Sequence, residues 1–283
     1  MRPPTGYFGA KVRLAPWIAS LLPPHRTYLE PFAGSLAVLF AKAPSPTEIV
    51  SDTDGHVVNF FRVLRERPLD LERACELTPY ARAEYDACAD LDVGDELEQA
   101  RRWWVRTNQS VGKHPGSGRG SGWAAGPNTG NMDHSHKMAT YTGRMAACAA
   151  RLRGVTWENR PALEVLAKYA TSPEVAVYCD PPYLASVRRG QDRLRPRDYA
   201  TDMPTDADHE SLAEALRATP AAVLLSGYPS PLYGRLYDGW DRAERVVPVP
   251  TANGRGGVVR RQATEVVWSN RPLRVQGALE LAP

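Results

Sequence analysis

Cysteine is scarce in this chain. Four residues, Cys75, Cys88, Cys148 and Cys179, stand far apart among 283. None forms a Cys-x-x-Cys pair, which argues against a zinc ribbon or a redox dithiol. Cys179 ends an apolar run and reads as a buried thiol. The six histidines never fall at His-x-x-x-His spacing, so no metal is expected, and His134 and His136 are read as binding nothing. No uninterrupted stretch of about 18 apolar residues occurs, so no membrane-spanning helix is expected. The opening Met1-Arg2-Pro3-Pro4-Thr5-Gly6 lacks the apolar core of a signal peptide. These gaps together point to a reducing, cytoplasmic compartment. Internal repeats and heptads are also missing.

Acidic residues are missing from one long stretch. Residues 101–132 contain Arg101, Arg102, Arg106, Lys113 and Arg119 and no Asp or Glu. Residues 187–197 carry five arginines against the single Asp192. Basic clusters of this kind form a footprint for a polyanion, although arginine runs also simply solvate a face. The net charge of +3 adds little by itself.

What is present is enough for a sizeable core: 43% of residues are hydrophobic. That argues against a disordered or fibrous chain. The length allows one large domain or two modest ones. A helix is expected over residues 11–22, then a buried strand over 27–30. Ser35 is positioned to cap a helix through about residue 41. A second strand spans 48–52 and a second helix 57–65. This strand–helix alternation is that of an α/β unit with a parallel sheet. Residues 69–89 and 96–106 read as helices with no strand after them. Residues 112–130, rich in Gly, Ser, Pro and Asn, read as a long loop that also carries Trp123. Alternation then returns: helix 139–153, strand 155–158, helix 161–169, strand 175–180, helix 206–218 and strand 222–226. The strands at 245–249 and 265–269 leave little room for a helix between them and suggest an antiparallel pair at the sheet edge. The total is seven strands.

In open α/β sheets, ligands bind beyond the carboxyl ends of the strands. Three such ends stand out. Glu30-Pro31-Phe32-Ala33-Gly34 has a glycine that lets the backbone approach a ligand. It lacks the further glycines of a dinucleotide fingerprint, so a cofactor other than a pyrophosphate compound is favoured. Asp52 closes the second strand, where an acid can accept hydrogen bonds from ribose hydroxyls. Asp54, two residues on, has the better claim to capping the next helix. Asp180-Pro181-Pro182-Tyr183 closes the fourth strand. Its prolines lack N–H groups, fix φ, and expose carbonyl oxygens. An aromatic amine needs one acceptor per N–H; Asp180 and the Pro181 carbonyl supply two, and Tyr183 offers a flat stacking surface. A double proline can also be a plain structural turn.

In this order and spacing, the segments resemble the D12 class of DNA adenine-N6 methyltransferases, the class that includes Dam. Tyr7-Phe8-Gly9-Ala10-Lys11 resembles the family's aromatic–Gly–x–Lys segment, which wraps the cofactor. Glu30-Pro31-Phe32-Ala33-Gly34-Ser35 resembles the motif around the methionine part of S-adenosylmethionine. Ser51-Asp52 resembles the ribose-binding segment, and Asp180-Pro181-Pro182-Tyr183 matches the catalytic tetrapeptide unchanged. The resemblance implies a Rossmann-like methyltransferase fold. Its mostly parallel seven-stranded sheet has helices on both faces, and a helical target-recognition insertion interrupts it. It divides the chain into residues 1–66 and 139–283 of the methyltransferase domain and 67–138 of the insertion, to which Trp104-Val105-Arg106-Thr107-Asn108 would belong.

The implied reaction is methyl transfer from S-adenosylmethionine to a flipped adenine in double-stranded DNA, without a metal. Tyr183, with Phe32 or Phe8, would pack the base. Lys11 would lie near the pocket and orient Asp180, and the arginines of 188–197 would clamp phosphates. A monomer is expected, with a dimer and a cognate restriction endonuclease left open. One position departs from the family: Pro161 stands where an Asp usually contacts the cofactor's adenine ring. Either Asn159 takes its place or the register shifts by one or two residues. The tetrapeptide by itself fits cytosine N4 as well as adenine N6, and a non-catalytic DNA-binding homologue is the alternative from another class.

Overall fold

A computed structural model describes residues 1–7, 9–110, 122–124, 134–184, 203, 205–252 and 258–273. Seven strands form one sheet: β1 (Thr27–Glu30), β2 (Thr47–Ser51), β3 (Val155–Glu158), β4 (Val175–Cys179), β5 (Ala222–Gly227), β6 (Asp241–Ala252) and β7 (Val258–Ser269). Their spatial order is β3-β2-β1-β4-β5-β7-β6. Every pairing from β3 across to β5 is parallel; β7 runs antiparallel to both β5 and β6. The order reverses between β1 and β4, and such a switch point opens a crevice at the carboxyl ends of the strands.

Period-2 alternation sends side chains into two cores. Tyr28, Val50, Tyr178, Leu224 and Val267 face one, while Leu29, Ile49, Val177, Val223 and Val266 face the other. Buried on both faces, these strands read as apolar runs, which is why they were legible in the sequence. Over the second core lie α9 (Ala162–Tyr169), α10 (Asp206–Ala218) and α11 (Pro231–Leu236). The first is covered by α1 (Ala15–Leu21), α2 (Ala37–Ala41), α3 (Gly55–Glu66), α4 (Pro68–Glu76), α6 (Glu96–Asn108) and α8 (Met145–Leu152), with α5 (Arg82–Ala87) and α7 (His134–Thr142) at its margin. Trp103 of α6 packs on Phe60 of α3 at 4.8 Å between ring centroids. The helices of residues 67–138 therefore share the core of the sheet.

Helix starts follow side-chain capping. Asp54 accepts from the His56 N–H and opens α3; Asp95 does the same for α6 through Glu98. Thr205 and Asp208 form a reciprocal capping box on α10. Ser35 does not cap α2. Leu36, at φ 56°, precedes the helix and makes no side-chain cap. The helix expected over 69–89 is two, α4 and α5, because the Thr78-Pro79 step cannot continue a helix. Likewise 139–153 is broken between α7 and α8 at Gly143. The antiparallel pair runs 12 residues on each strand, far beyond the stretches expected. The helix α11 was not expected, although Ser230 capping ahead of Pro231 is its ordinary start signal. All four cysteines are buried and free, Cys179 among them.

Among the described residues no helix is long and apolar enough to cross a membrane.

Candidate active site

A cavity of about 300 Å³ opens at the carboxyl ends of β1, β2 and β4. The three strand ends singled out in the sequence meet there. Glu30, Phe32, Ala33, Gly34 and Ser35 line it from β1, Asp52 from β2, and Asp180, Pro181, Pro182 and Tyr183 from β4. Tyr7, Gly9 and Lys11 close it from the N-terminal segment. Phe8 and residues 188–197 lie outside the described residues, as do Lys113 and Arg119. Pro31 is buried at the β1 exit but does not line the cavity.

The first wall is a backbone turn. Gly34 has φ 45°, a conformation that costs other residues about 1–2 kcal/mol. A Cβ there would stand 3.2 Å from Cε1 of Tyr7. Its N–H donates to Asp52 Oδ2 at 2.9 Å, and the Asp54 N–H donates to Oδ1 at 2.9 Å. Asp52 thus ties the two strand ends together while still presenting spare lone pairs to the cavity. Burial raises its pKa to about 6 despite those two N–H donors. Glu30 is deeper and accepts from Tyr28 Oη at 2.8 Å. Burial raises its pKa to about 8, with the nearby Asp180 adding to the effect.

Asp180 is held from one side only. Its Oδ1 accepts from Ser226 Oγ at 2.9 Å and faces Lys11 Nζ at 2.9 Å. Ser226 in turn meets Tyr178 Oη at 3.0 Å. Asp180 Oδ2 has no partner among the described residues, which leaves it free to accept from a ligand. Lys11 is 5% exposed. It also donates to Tyr183 Oη and lies 4.6 Å from the centre of that ring. Its Nζ stands 3.5 Å from Glu265 Oε1. Burial works against the ammonium, but Asp180 and Glu265 outweigh it and raise its pKa. Tyr183 packs beside Tyr228 at 4.7 Å between centroids.

Asn159 does not line the cavity. Its Nδ2 donates to the carbonyl of Asp52 at 2.7 Å, outside the cavity wall. Pro161, Ala162 and Leu163 line the adjoining end instead, giving it an apolar surface. Sequence reasoning missed Ser226, Tyr228 and Glu265. Ser226 and Tyr228 flank the end of β5, so the strand-end rule applied there too would have found them. Glu265 starts an apolar run on an antiparallel strand, where that rule gives no signal.

The segment 104–108 does not offer a DNA-facing surface. Trp104, Val105, Arg106, Thr107 and Asn108 are all buried. They hold the N-terminal segment: Trp104 Nε1 donates to the Pro4 carbonyl at 3.0 Å, and Asn108 Oδ1 accepts from the Gly6 N–H at 2.8 Å. Arg101 pairs with Glu84 and Glu98, Arg102 with Glu98, and Arg106 lies 3.8 Å from the Tyr85 ring. Those three arginines are spent inside the fold. Trp123 is docked as well, its Nε1 donating to Gln109 Oε1 at 3.3 Å.

The model of the D12 class N6 adenine-specific DNA methyltransferase family matches residues 7–92. No curated protein is significantly similar to the chain. Among solved structures, the precorrin 8W decarboxylase of Methanobacterium thermoautotrophicum aligns over 95% of both chains at 8% identity. Its TM-score of 0.40 is too low for the likeness to carry any argument.

Proposed function

From a chain that carries a D12-class N6 adenine-specific DNA methyltransferase domain, and so methylates adenine in DNA with S-adenosylmethionine, we propose how its residues divide the work. The cavity's chemistry fits that donor. Glu30, Asp52 and Asp180 set carboxylates around it, whereas its one lysine is already paired. A sulfonium, an ammonium and ribose hydroxyls are complementary to such a lining. The Gly34 turn leaves room that a side chain would fill. Pro161 to Leu163 suit a flat apolar ring by contact alone.

Bound there, S-adenosylmethionine supplies an electrophilic methyl group. Tyr7, Gly9, Lys11, Glu30, Phe32, Ala33, Gly34, Ser35 and Asp52 form its binding wall, and Pro31, buried behind it, supports the turn. Asn159 acts through the Asp52 backbone rather than by touching the adenine. Asp180 Oδ2 and the Pro181 carbonyl accept the two N–H bonds of adenine N6 and leave its lone pair exposed. Pro182 keeps the exit rigid, and Tyr183 with Phe32 packs the base. Alignment and preorganised acceptors account for the rate. An adenine within a duplex cannot reach this cavity, so the base is flipped out of double-stranded DNA. Residues 67–138 provide target recognition. The chain works as a monomer in the cytoplasm of a bacterial or phage-infected cell.

The single observation that carries this reading is the 2.9 Å contact between Lys11 and Asp180. It joins the family-matched segment to a tetrapeptide nearly 90 residues beyond that match. The test is tritium transfer from labelled donor into unmethylated DNA, followed by nucleoside analysis. Asp180→Ala is expected to abolish transfer while the protein stays folded. Undiminished transfer by that variant, or label recovered in N4-methylcytosine, overturns the reading.

A further inference from the structure

We propose that Glu265 is a positioning residue for methyl transfer: it offsets the charge of Lys11, so that Asp180 meets the reacting amine as a net anion. The proposal rests on the reading of Asp180 given above.

The geometry behind it is a buried row of three charges. Lys11 Nζ lies between Asp180 Oδ1 at 2.9 Å and Glu265 Oε1 at 3.5 Å. Glu265 is 2% exposed and makes no hydrogen bond through that oxygen. A carboxylate in such a place has lost its water and, among the described residues, gains only from Lys11. Burying an acid at that cost for stability alone is poor design, because an apolar residue would serve as well or better. Its position makes sense through Asp180.

The charge balance of the reaction gives the reason. The adenine lone pair forms the N–C bond as the C–S bond breaks, and sulfur keeps that electron pair. Positive charge therefore moves onto N6, which then sheds one proton by way of Asp180 to water. Asp180 paired with Lys11 alone is a neutral dipole and stabilises that charge weakly. With Glu265 ionised, the three groups sum to one negative charge. Electrostatic stabilisation acts where the charge develops, and it is strongest in a site closed to water.

Among the described residues, few groups face Glu265. Lys11 comes from the N-terminal segment and Asp180 from the β4 exit. Arg245 stands opposite it in register on β6, but its guanidinium lies over the Trp17 ring at 5.3 Å. Glu30 and Tyr178 act on the same cluster through Asp180 and Lys11. Burial raises the pKa of Glu265 to about 7; Lys11 opposes the rise and Asp180 adds to it. Ionisation of Glu265 thus falls in the working range of pH.

Single-turnover transfer to unmethylated duplex DNA at saturating S-adenosylmethionine tests this across pH 5.5–8.5. The wild type is expected to speed up with pH around a midpoint near 7. Glu265→Gln should flatten that rise and lower the plateau about tenfold, which is about 1.4 kcal/mol on the barrier. Donor affinity should hold within about twofold. Glu265→Asp should restore part of the pH-dependent rise, which a merely structural role does not predict. A folded Glu265→Gln with the wild-type plateau and profile overturns the proposal. So does a flat profile in the wild type, which decides the matter even if the variant fails to fold. A wild type that transfers nothing at any pH removes the methyltransferase reading as well, whereas an active wild type beside an unaffected variant removes this proposal alone.

Discussion

Strand β2 carries an acid at each end, and the two behave oppositely. Glu48, near its start, is held by Lys42 at 2.5 Å and by a two-pronged contact from Arg151. Burial works against its charge, but Arg151, Lys42 and the Ser45 N–H outweigh burial and lower its pKa. Asp52, just past the strand's other end, has backbone N–H partners and, among the described residues, no cation, and its pKa is raised. The same contrast holds across the sheet: Glu30 and Glu265 are raised beside Asp180. At the amino end, charges are cancelled and serve stability. At the carboxyl end, negative charge is left uncancelled, a state a cationic ligand can relieve.

Removing Glu48 is the strongest way to break that comparison. Glu48→Ala would strand Lys42 and Arg151 in a buried setting, and breaking a buried pair this way costs about 3–5 kcal/mol. Urea unfolding should show that loss. Glu30→Gln, by contrast, replaces a carboxyl whose charged form burial disfavours. It should leave stability unchanged or higher while weakening donor binding. Equal losses in the two variants would erase the distinction between the ends.

Gly34→Ala should have the next largest effect. The left-handed backbone and the Tyr7 ring at 3.2 Å both oppose a methyl group. The expected cost is about 1–2 kcal/mol. The stabilisation that saturating S-adenosylmethionine gives the wild type should also shrink. A variant that melts and responds to the donor as the wild type does would show the turn to be tolerant.

A third test uses pH. Glu30, Asp52 and Glu265 have pKa values raised from 4.5, 3.8 and 4.5 to about 8, 6 and 7. The unfolded chain releases these protons first, so the folded state binds more protons in between. The stability they contribute is intact below about pH 4 and lost as pH rises towards 8. Glu48 has the reverse sign, and its contribution is lost only on acidification. Binding a cation beside Glu30 and Asp52, the two of these that line the cavity, favours their ionised forms and should expel protons. Donor affinity should therefore rise with pH over the same window. Calorimetry in buffers of different ionisation enthalpy reads this directly, and proton uptake on binding would contradict it.

Legibility in the sequence followed the same division. The cavity end was readable because each strand delivers its acid or turn directly to one place: Glu30, Asp52 and Asp180 each follow a short apolar run. The seven strands followed from the same runs, and the parallel direction of β1 to β5 from the helices between them. Partners that arrive from elsewhere were not readable. Ser226 and Glu265 reach Asp180 and Lys11 only through tertiary folding. The basic stretch of 101–132 misled for the same reason. It has no acid of its own, yet Glu84 and Glu98, on either side of Cys88 and earlier in the chain, fold back onto Arg101 and Arg102.

That last case yields the smallest expected effect and the sharpest discrimination. A protein that gains one phosphate contact from an arginine loses about one unit of slope in log K against log salt when it is removed. Arg101 and Arg102 are occupied by Glu84 and Glu98, so Arg101→Gln and Arg102→Gln should leave the salt slope of DNA binding unchanged. Their cost should appear in stability alone, at roughly 0.2–1 kcal/mol for partly exposed pairs. A slope reduced by about one unit would mean that these arginines leave their carboxylates for phosphate when DNA binds. The helical insertion would then carry the uncancelled charge seen at the cavity, and the contrast between charges spent within the fold and charges kept for a ligand would no longer hold there.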